Sequence, residues 1–570
     1  MTTLASLPVL LLDAQATAAD PARGALLEIG WAPWTASEGR ELAAADVTAH
    51  VVAQPSGAAL PPAVARITGL RGAEWERGVP PLLVWERLLA TVEARWGAAP
   101  GPVPVAIHFV RFEEPFLRAL HHRHGTGTFP FRLVCTHAIA RRLLPELPRR
   151  TLRALAGYFG ASVPPLRRSA DHVAATALVW RHLVERLAER EGVVSLTDLE
   201  AWLDRPARRC PRQWPLPRER RRQLPDRPGV YRLLRIGGAV LYVGKATSLR
   251  QRVSGHFHGG AGLPERALDM LTQARDVSWS ETETPLEAAL LEADEIKRMA
   301  PPFNIALAAN DRGVWFASSD LQSVRSCPDA EHVVGPLGSR APIEAFSALR
   351  DVLADARPAP LGTRSRAVGV DPPFAPDPQC FEDGLAAFVR ERRPEADTRS
   401  LLRLGARLRG LRLAAAASQA GETDTPEEDR ALDQQRRPSW DPDRVRNALE
   451  ETLVRAAHAV RRGRWLCRLS ESSLAWAEPG SSKLRLLVIE EGQVASRADL
   501  DPGTCLPIPP RHARTLEERR TAFDVATFDR LRVLTTELRV PAAGAGFVEL
   551  RFGPHARLSR LRLQAILRWV

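Results

Sequence analysis

Gly229-Val-Tyr-Arg-Leu-Leu-Arg-Ile-Gly-Gly-Ala-Val-Leu-Tyr-Val-Gly-Lys245 is the stretch from which the organisation of this chain can be read. Two apolar runs, Val230 to Leu234 and Ala239 to Val243, flank Arg235-Ile-Gly-Gly238, the pattern of a β-hairpin with a glycine-permitted turn. With Ile236 and Gly237 as loop residues, Tyr231 lies opposite Tyr242; with Gly237 and Gly238 the pair is diagonal. Either register leaves both phenols on one face. Tyr231 and Tyr242 are two of the three tyrosines in 570 residues, Lys245 is one of three lysines, and Asn304, further on, is one of three asparagines. The rest of the chain carries its positive charge almost entirely as arginine. Rare residue types gathered in one short segment mark a chemical requirement there.

Gly244 frees the chain to turn, and Thr247 or Ser248 caps a short helix that faces Leu249 and Val253 inward and projects Arg250 and Arg252. Thr284-Pro-Leu-Glu287 reads as a capping box with proline at the first helical position. It opens a helix with Leu286, Leu290, Ala293 and Lys297 at helical spacing. Glu292 then falls on the edge of the apolar stripe, facing the tyrosine hairpin. Two phenols, an ammonium, guanidiniums, a carboxylate and a carboxamide suit hydrolysis of a phosphodiester. The carboxylate holds a hard cation, the arginine stabilises developing charge, and a tyrosinate activates water. A free phenol has a pKa of about 10, so neighbouring positive charge has to lower it.

These residues resemble the GIY-YIG nucleases, and within them the nuclease module of the excinuclease subunit UvrC and its shorter homologue Cho. The resemblance runs from about Leu224 to about Ser339. It rests on Tyr242-Val-Gly-Lys-Ala-Thr-Ser-Leu-Arg-Gln-Arg252, Glu287-Ala-Ala-Leu-Leu-Glu292, Pro302-Phe-Asn304 and a weaker Val334-Gly-Pro-Leu-Gly338. It implies that Tyr231 and Tyr242 are the signature tyrosines, Lys245 and Arg252 the catalytic basic residues, Glu292 the ligand of Mg²⁺ or Mn²⁺, and Asn304 a site-supporting amide. Which tyrosine acts as base stays open.

The first 200 residues read as a mixed α/β domain. Leu7 to Leu12 is a buried-strand run ending in Asp13, Ala25 to Ala32 a second strand, and Pro81 to Trp96, Glu114 to His122 and Ala170 to Arg190 are helical patterns. Leu12-Asp-Ala-Gln-Ala-Thr17, His108-Phe-Val-Arg-Phe-Glu-Glu-Pro-Phe-Leu117 and Leu152-Arg-Ala-Leu155 are similar to the DnaQ-like 3′ to 5′ exonucleases. That resemblance implies an RNase H-like fold and a two-metal site, with the family's pattern only partly kept. Asp13 is retained, Gln15 stands for a glutamate, Glu113 for an aspartate, Arg167 for the histidine base and His172 for the last aspartate, with Asp171 one residue early. Two-metal hydrolysis needs several carboxylates around a pair of cations. The domain is therefore expected to be a degenerate exonuclease that keeps its fold for binding or docking.

A net charge of +12 and a pI near 10.3 point to a polyanionic partner, which the nuclease resemblance implies is DNA. Arg205 to Arg222 holds eight arginines and four prolines against one acidic residue and reads as an extended basic linker. The absence of an 18-residue apolar run argues against a membrane span. Met1 to Leu12 is apolar without a basic start or a small-residue cleavage site, so no signal peptide is expected and the expected location is the cytoplasm. The six cysteines have no metal-binding spacing and read as reduced thiols.

Beyond Ser339 the resemblance fades. Arg390 to Arg412 is basic with leucines at 401, 402, 404, 408 and 411, better read as a solvated helical face than as a DNA-facing helix. Gly421 to Ser439 reads as a linker. Asp443 to Val460 is an amphipathic helix, and Trp465 to Trp476 and Leu484 to Ile489 read as antiparallel strands. The expected architecture is α/β and α+β multidomain: an RNase H-like exonuclease domain at 1–200, a linker at 201–222, a GIY-YIG α/β nuclease at 223–310, a UvrC/Cho-like extension at 311–420, a linker at 421–440, and a mixed α+β domain of unknown fold and role at 441–570. The expected function is a metal-dependent DNA endonuclease of the UvrC or Cho type in nucleotide excision repair, with a UvrB-like loader as partner. An exonuclease active alongside it and a non-catalytic repair adaptor are the competing expectations. Lesion preference and incision position are not legible in the sequence.

Overall fold

The computed structural model describes residues 2–54, 60–97, 101–161, 166–206, 210–211, 213–258, 262–304, 313–355, 359–370, 375–419, 440–478 and 480–570. The linker expected at 421–440 lies outside them except for Trp440. The chain divides into two compact units, Met1–Glu283 with Pro301–Asn304, and Thr284–Ala300 with Ile305–Val570.

The first unit opens with a five-stranded sheet of order β3-β2-β1-β4-β5, built from β1 (Pro8–Ala16), β2 (Leu26–Thr35), β3 (Thr48–Val51), β4 (Val103–Ile107) and β5 (Phe131–Cys135). β1 runs antiparallel to β2 and parallel to β4, which is the RNase H-like arrangement. Alternation along β1 sorts its side chains to two cores. Val9 and Leu11 join Ala32, Trp34 and Trp180 on one face, while Leu10 and Leu12 join Ile29, Trp31 and Trp85 on the other. Each such fully buried leucine contributes about 1.5–3 kcal/mol, so a strand buried on both faces sits at the centre of the sheet. Helices α1 (Pro81–Trp96) and α2 (Val110–His124) supply the second core, and α3 (Leu152–Tyr158) and α4 (Ser169–Arg186) the first.

The same unit continues through α5 (Arg218–Arg222) into a three-stranded antiparallel sheet of order β7-β6-β8. Its strands are β6 (Gly229–Leu234), β7 (Val240–Ala246) and β8 (Asp276–Glu281), with helices α6 (Leu249–His258) and α7 (Glu265–Gln273). The expected extended linker is corrected here over its described part. Leu216 is fully buried, Trp214 packs edge-on against Phe257, Arg221 lies 4.4 Å over the same ring, and Arg220 pairs with Asp276 at 2.6 Å. The apolar anchors and the hydrocarbon stems of the arginines make this segment part of the small domain's wall.

The two sheet domains also meet. Thr151, which caps α3, donates its hydroxyl to Asp269 of α7 at 2.8 Å, Arg149 pairs with Glu265 at 2.7 Å, and Arg275 lies 3.9 Å over the Tyr158 ring. At Gly157 a Cβ would fall 1.9 Å from the Gln273 side chain, so glycine permits this approach.

In the second unit, α8 (Pro285–Met299) places Leu286 and Leu290 in a core with Trp476, Leu487 and Phe528. Thr284 caps the helix by accepting the Glu287 N–H at 3.2 Å. The expected capping box is modified, because the Glu287 carboxylate, 2% exposed, pairs instead with Arg485 at 2.8 Å. Asp294–Arg530 at 2.7 Å and Lys297–Asp529 at 2.8 Å hold the same helix along its length. Strands β9 (Trp315–Ala317), β10 (Val324–Arg325) and β11 (Val334–Leu337) form a small sheet. Around it lie α9 (Ala341–Ala354), α10 (Pro378–Arg392), α11 (Thr398–Gln419) and the 28-residue α12 (Pro442–Leu469).

The strand expected from Trp465 is corrected: Trp465, Leu466 and Leu469 continue the buried stripe of α12, and the strand begins only at Ser472. That strand, β12 (Ser472–Ala477), centres an antiparallel sheet with β13 (Leu484–Glu490), β14 (Gln493–Leu500), β15 (Val548–Arg551) and β16 (Arg557–Ser559). α13 (Val525–Glu537) and α14 (Arg560–Leu567) complete the unit. No described helix is long and apolar enough to cross a membrane.

Candidate active site

The hairpin takes the diagonal register. Tyr231 pairs with Gly244 and Leu233 with Tyr242, and Gly237 and Gly238 both adopt positive φ, at 85° and 82°. The two phenol rings lie 6.0 Å apart between centroids. Tyr231 is fully buried and Tyr242 half-buried. Gly244 is dictated by this geometry: a Cβ there would fall 2.6 Å from the Tyr231 hydroxyl and 2.7 Å from the Tyr242 ring.

A third aromatic group, which sequence reasoning missed, completes the cluster. His256 of α6 lies with Nε2 2.6 Å from the Tyr231 hydroxyl, and its ring is 6.1 Å from that of Tyr242. The available signal was its position one helical turn after Arg252, on the same face of the helix. Burial, with Arg252 adding to it, pushes the His256 pKa down to about 4. The imidazole is therefore neutral near pH 7, and in the tautomer with Nε2 unprotonated it accepts a hydrogen bond from the Tyr231 hydroxyl.

Asn304 is tied to β7 rather than aimed from it. Its Oδ1 accepts the Val243 N–H at 3.0 Å and its Nδ2 donates to the Val243 carbonyl at 2.9 Å, so the carboxamide extends the hairpin beside Tyr242. Phe303, whose N–H donates to Leu241 at 3.1 Å, carries Arg153 of the large sheet domain 4.4 Å over its ring. Lys245 follows Gly244 on β7, half-buried, and Arg252 is exposed on α6. Glu292 is half-buried on α8, within the second unit.

The structure also brings Asp13, Glu113 and His172 together beside the C-terminal half of β1, which continues past the expected end at Asp13 to Ala16. His172 Nδ1 lies 3.0 Å from Asp13 Oδ1. Burial opposes the charged imidazole, but the Asp13 carboxylate and its hydrogen bond outweigh it and raise the His172 pKa. Glu113 accepts the Ala14 N–H at 2.9 Å. Burial, and secondarily the Asp13 charge, holds its carboxyl well above the usual range. Gln15 donates to the Arg167 carbonyl at 2.8 Å, the Arg167 side chain is exposed, and Asp171 caps α4 through the Arg168 N–H.

This part of β1 thus holds a hydrogen-bonded His–Asp pair and a carboxyl that favours its neutral form. These residues do not fit a pair of cations. Among the described residues, no group of three or more His, Cys, Asp or Glu side chains is arranged to hold a metal. The expected result is that the full chain bearing Glu292→Gln, to silence the other site, leaves 3′-labelled single-stranded DNA intact with Mg²⁺ or Mn²⁺. Stepwise shortening abolished by Asp13→Ala would overturn this.

Residues 227–305 match the family model of the UvrC-like GIY-YIG domain. They are a UvrC-like GIY-YIG domain. A Mycobacterium tuberculosis (strain CDC 1551 / Oshkosh) protein whose name reads bifunctional exonuclease/endonuclease protein is 32% identical over 295 residues, 48% of this chain and 44% of that protein. UvrABC system protein C of Sphingopyxis alaskensis is 50% identical over 86 residues, 15% of this chain and 13% of that protein. The solved GIY-YIG N-terminal endonuclease domain of UvrC from Thermotoga maritima, bound to magnesium as its catalytic divalent cation, is 27% identical. That match covers 15% of this chain and 94% of that domain, with a TM-score of 0.14. The chain joins a domain with an RNase H-like sheet to the UvrC-like GIY-YIG domain, and it spans less than half the length of these two relatives.

Proposed function

We propose that the chain is a metal-dependent DNA endonuclease of the UvrC type that hydrolyses one phosphodiester in nucleotide excision repair. The observation that carries this reading is the Tyr231–Tyr242–His256 cluster closed around Gly244, with Asn304 bonded to the same strand. Neutral His256, too weak a base to take the phenolic proton, fixes the buried Tyr231 hydroxyl by a hydrogen bond, and the half-buried Tyr242 retains contact with solvent and a bound strand. Water loses its proton to a tyrosinate as its oxygen attacks phosphorus. The P–O bond to the leaving sugar breaks, and that alkoxide takes up a proton. Arg252, exposed on α6, stabilises the charge that develops on the phosphate.

Glu292 is assigned the metal. A single carboxylate suits Mg²⁺ or Mn²⁺, since Mg²⁺ completes its shell with waters and substrate phosphate. When bound, the cation polarises the phosphate and neutralises its charge. The exonuclease-like domain serves the nuclease as a scaffold, because Arg153 stacks on Phe303 next to Asn304.

The deciding experiment incubates the full chain with an end-labelled lesion duplex and Mg²⁺, with and without a UvrB-like loader. One discrete, Mg²⁺-dependent incision is expected, stronger with the loader. Absence of incision in both arms, with binding retained, would leave the adaptor reading in its place.

A further inference from the structure

In the second unit, α11 and α12 border an open cleft of about 1200 Å³, larger than the roughly 300–1,000 Å³ of small-molecule sites. Arg399, Arg403, Arg461, Arg464, Arg468 and Arg557 line it, all six exposed. Their spacing explains the convergence. Arg399 and Arg403 are one turn apart on α11, whose Leu401, Leu404 and Leu408 are buried. Arg461, Arg464 and Arg468 recur at helical spacing on α12, and Arg557 comes from β16.

None of the six forms an ion pair among the described residues, although the protein pairs many of its other arginines. Asp397 is the one carboxylate side chain in the lining, and it is occupied in accepting the Arg399 and Ser400 N–H groups at 3.0 Å each. Beneath the guanidiniums lies an apolar floor that includes Leu402, Phe552, Leu558 and Ile566, with Phe552 half-buried and edge-on to Trp465 at 5.9 Å. A second hollow of about 550 Å³ on the other flank of α11 shares Arg403 and Ala406 and adds Arg393 and Arg407.

Six like charges around one cleft, set against the single Asp397 carboxylate in the lining, repel one another, an arrangement that a bound polyanion relieves. A rim of guanidiniums over an apolar and aromatic floor matches the two faces of an unpaired nucleic-acid strand, phosphates outward and bases inward. A duplex keeps its bases stacked and offers the floor nothing. We propose that this cleft binds a single strand of DNA, as a nucleic-acid site distinct from the hairpin cluster. It goes beyond the endonuclease reading and does not depend on it.

The test measures binding of a fluorescent oligodeoxynucleotide, single-stranded or duplex, to the full chain in EDTA, so that cleavage plays no part. Arg403→Gln, Arg464→Gln and Arg557→Gln are combined. The control combines Arg298→Gln, Arg325→Gln and Arg340→Gln, three exposed arginines of the same unit outside this cleft's lining. The expected result is strand affinity roughly tenfold weaker, with the slope of log affinity against log salt shallower by about 2, since each phosphate contact on a single strand contributes about 0.7. The control triple should change neither appreciably. Unchanged strand affinity and slope, an equal loss in the control, or a loss on duplex as large as on the strand would each overturn the proposal. Circular dichroism and melting of both triples establish that folding is preserved, as expected for exposed side chains.

Discussion

Glu292→Gln is expected to reduce incision by on the order of 10²–10³-fold while leaving DNA affinity within about twofold. The change keeps the volume of the side chain and removes only its charge, so it targets the hold on a divalent cation. The helix should survive the change. α8 is anchored by Leu286 and Leu290 in the core and by the pairs Glu287–Arg485, Asp294–Arg530 and Lys297–Asp529, none of which includes residue 292. Single-turnover cleavage across a Mg²⁺ titration, with binding followed in parallel, is the measurement. Substantial Mg²⁺-dependent incision in the variant would remove Glu292 from the metal site.

Tyr231→Phe is the second large effect, with an expected loss of about 10²–10⁴-fold, the range for removing a positioned proton-transfer group. Phenylalanine retains the fully buried ring, so the core is kept. The His256 nitrogen loses its partner at a cost of about 1–3 kcal/mol. His256→Phe should lower the rate less, because the phenol itself remains.

The pH profile separates a proton-transfer role from a packing role. The folded-state pKa of His256 is depressed to about 4, below the ordinary 6.5, so its acceptor form persists above about pH 4. Any acid limb due to this histidine belongs near pH 4 rather than near 6.5. A wild-type rate that falls through pH 6.5, with the fall abolished in His256→Phe, would contradict the buried neutral imidazole.

Local pattern carried far in this chain. The β-hairpin follows from apolar runs on either side of Gly237-Gly238, and the helix at Pro81–Trp96 from its stripe of Val84, Leu88 and Val92, because periodicity states which face of an element avoids water. The candidate residues were legible differently: Tyr231, Tyr242, Lys245 and Asn304 stand out by rarity, Arg252 and Glu292 only by their place in the ordered motif.

What each face is buried against was not legible, because those partners lie far away in sequence. The pairing of His172 with Asp13 spans 159 positions, and it gives Asp13 an imidazole partner. Whether Arg220 and Arg221 belong to a tether or a wall depended on Asp276 and Phe257. Trp465 reads equally well as strand or helix until the stripe of α12 is seen to continue through Leu469. Sequence by itself determined the elements, the hairpin and the inventory of reactive groups. Only the tertiary structure decided that His256 meets Tyr231, that Glu113 is held towards its neutral form, and that six arginines from α11, α12 and β16 share one cleft. Desolvation and charge compensation depend on neighbours in space, which no local spacing encodes.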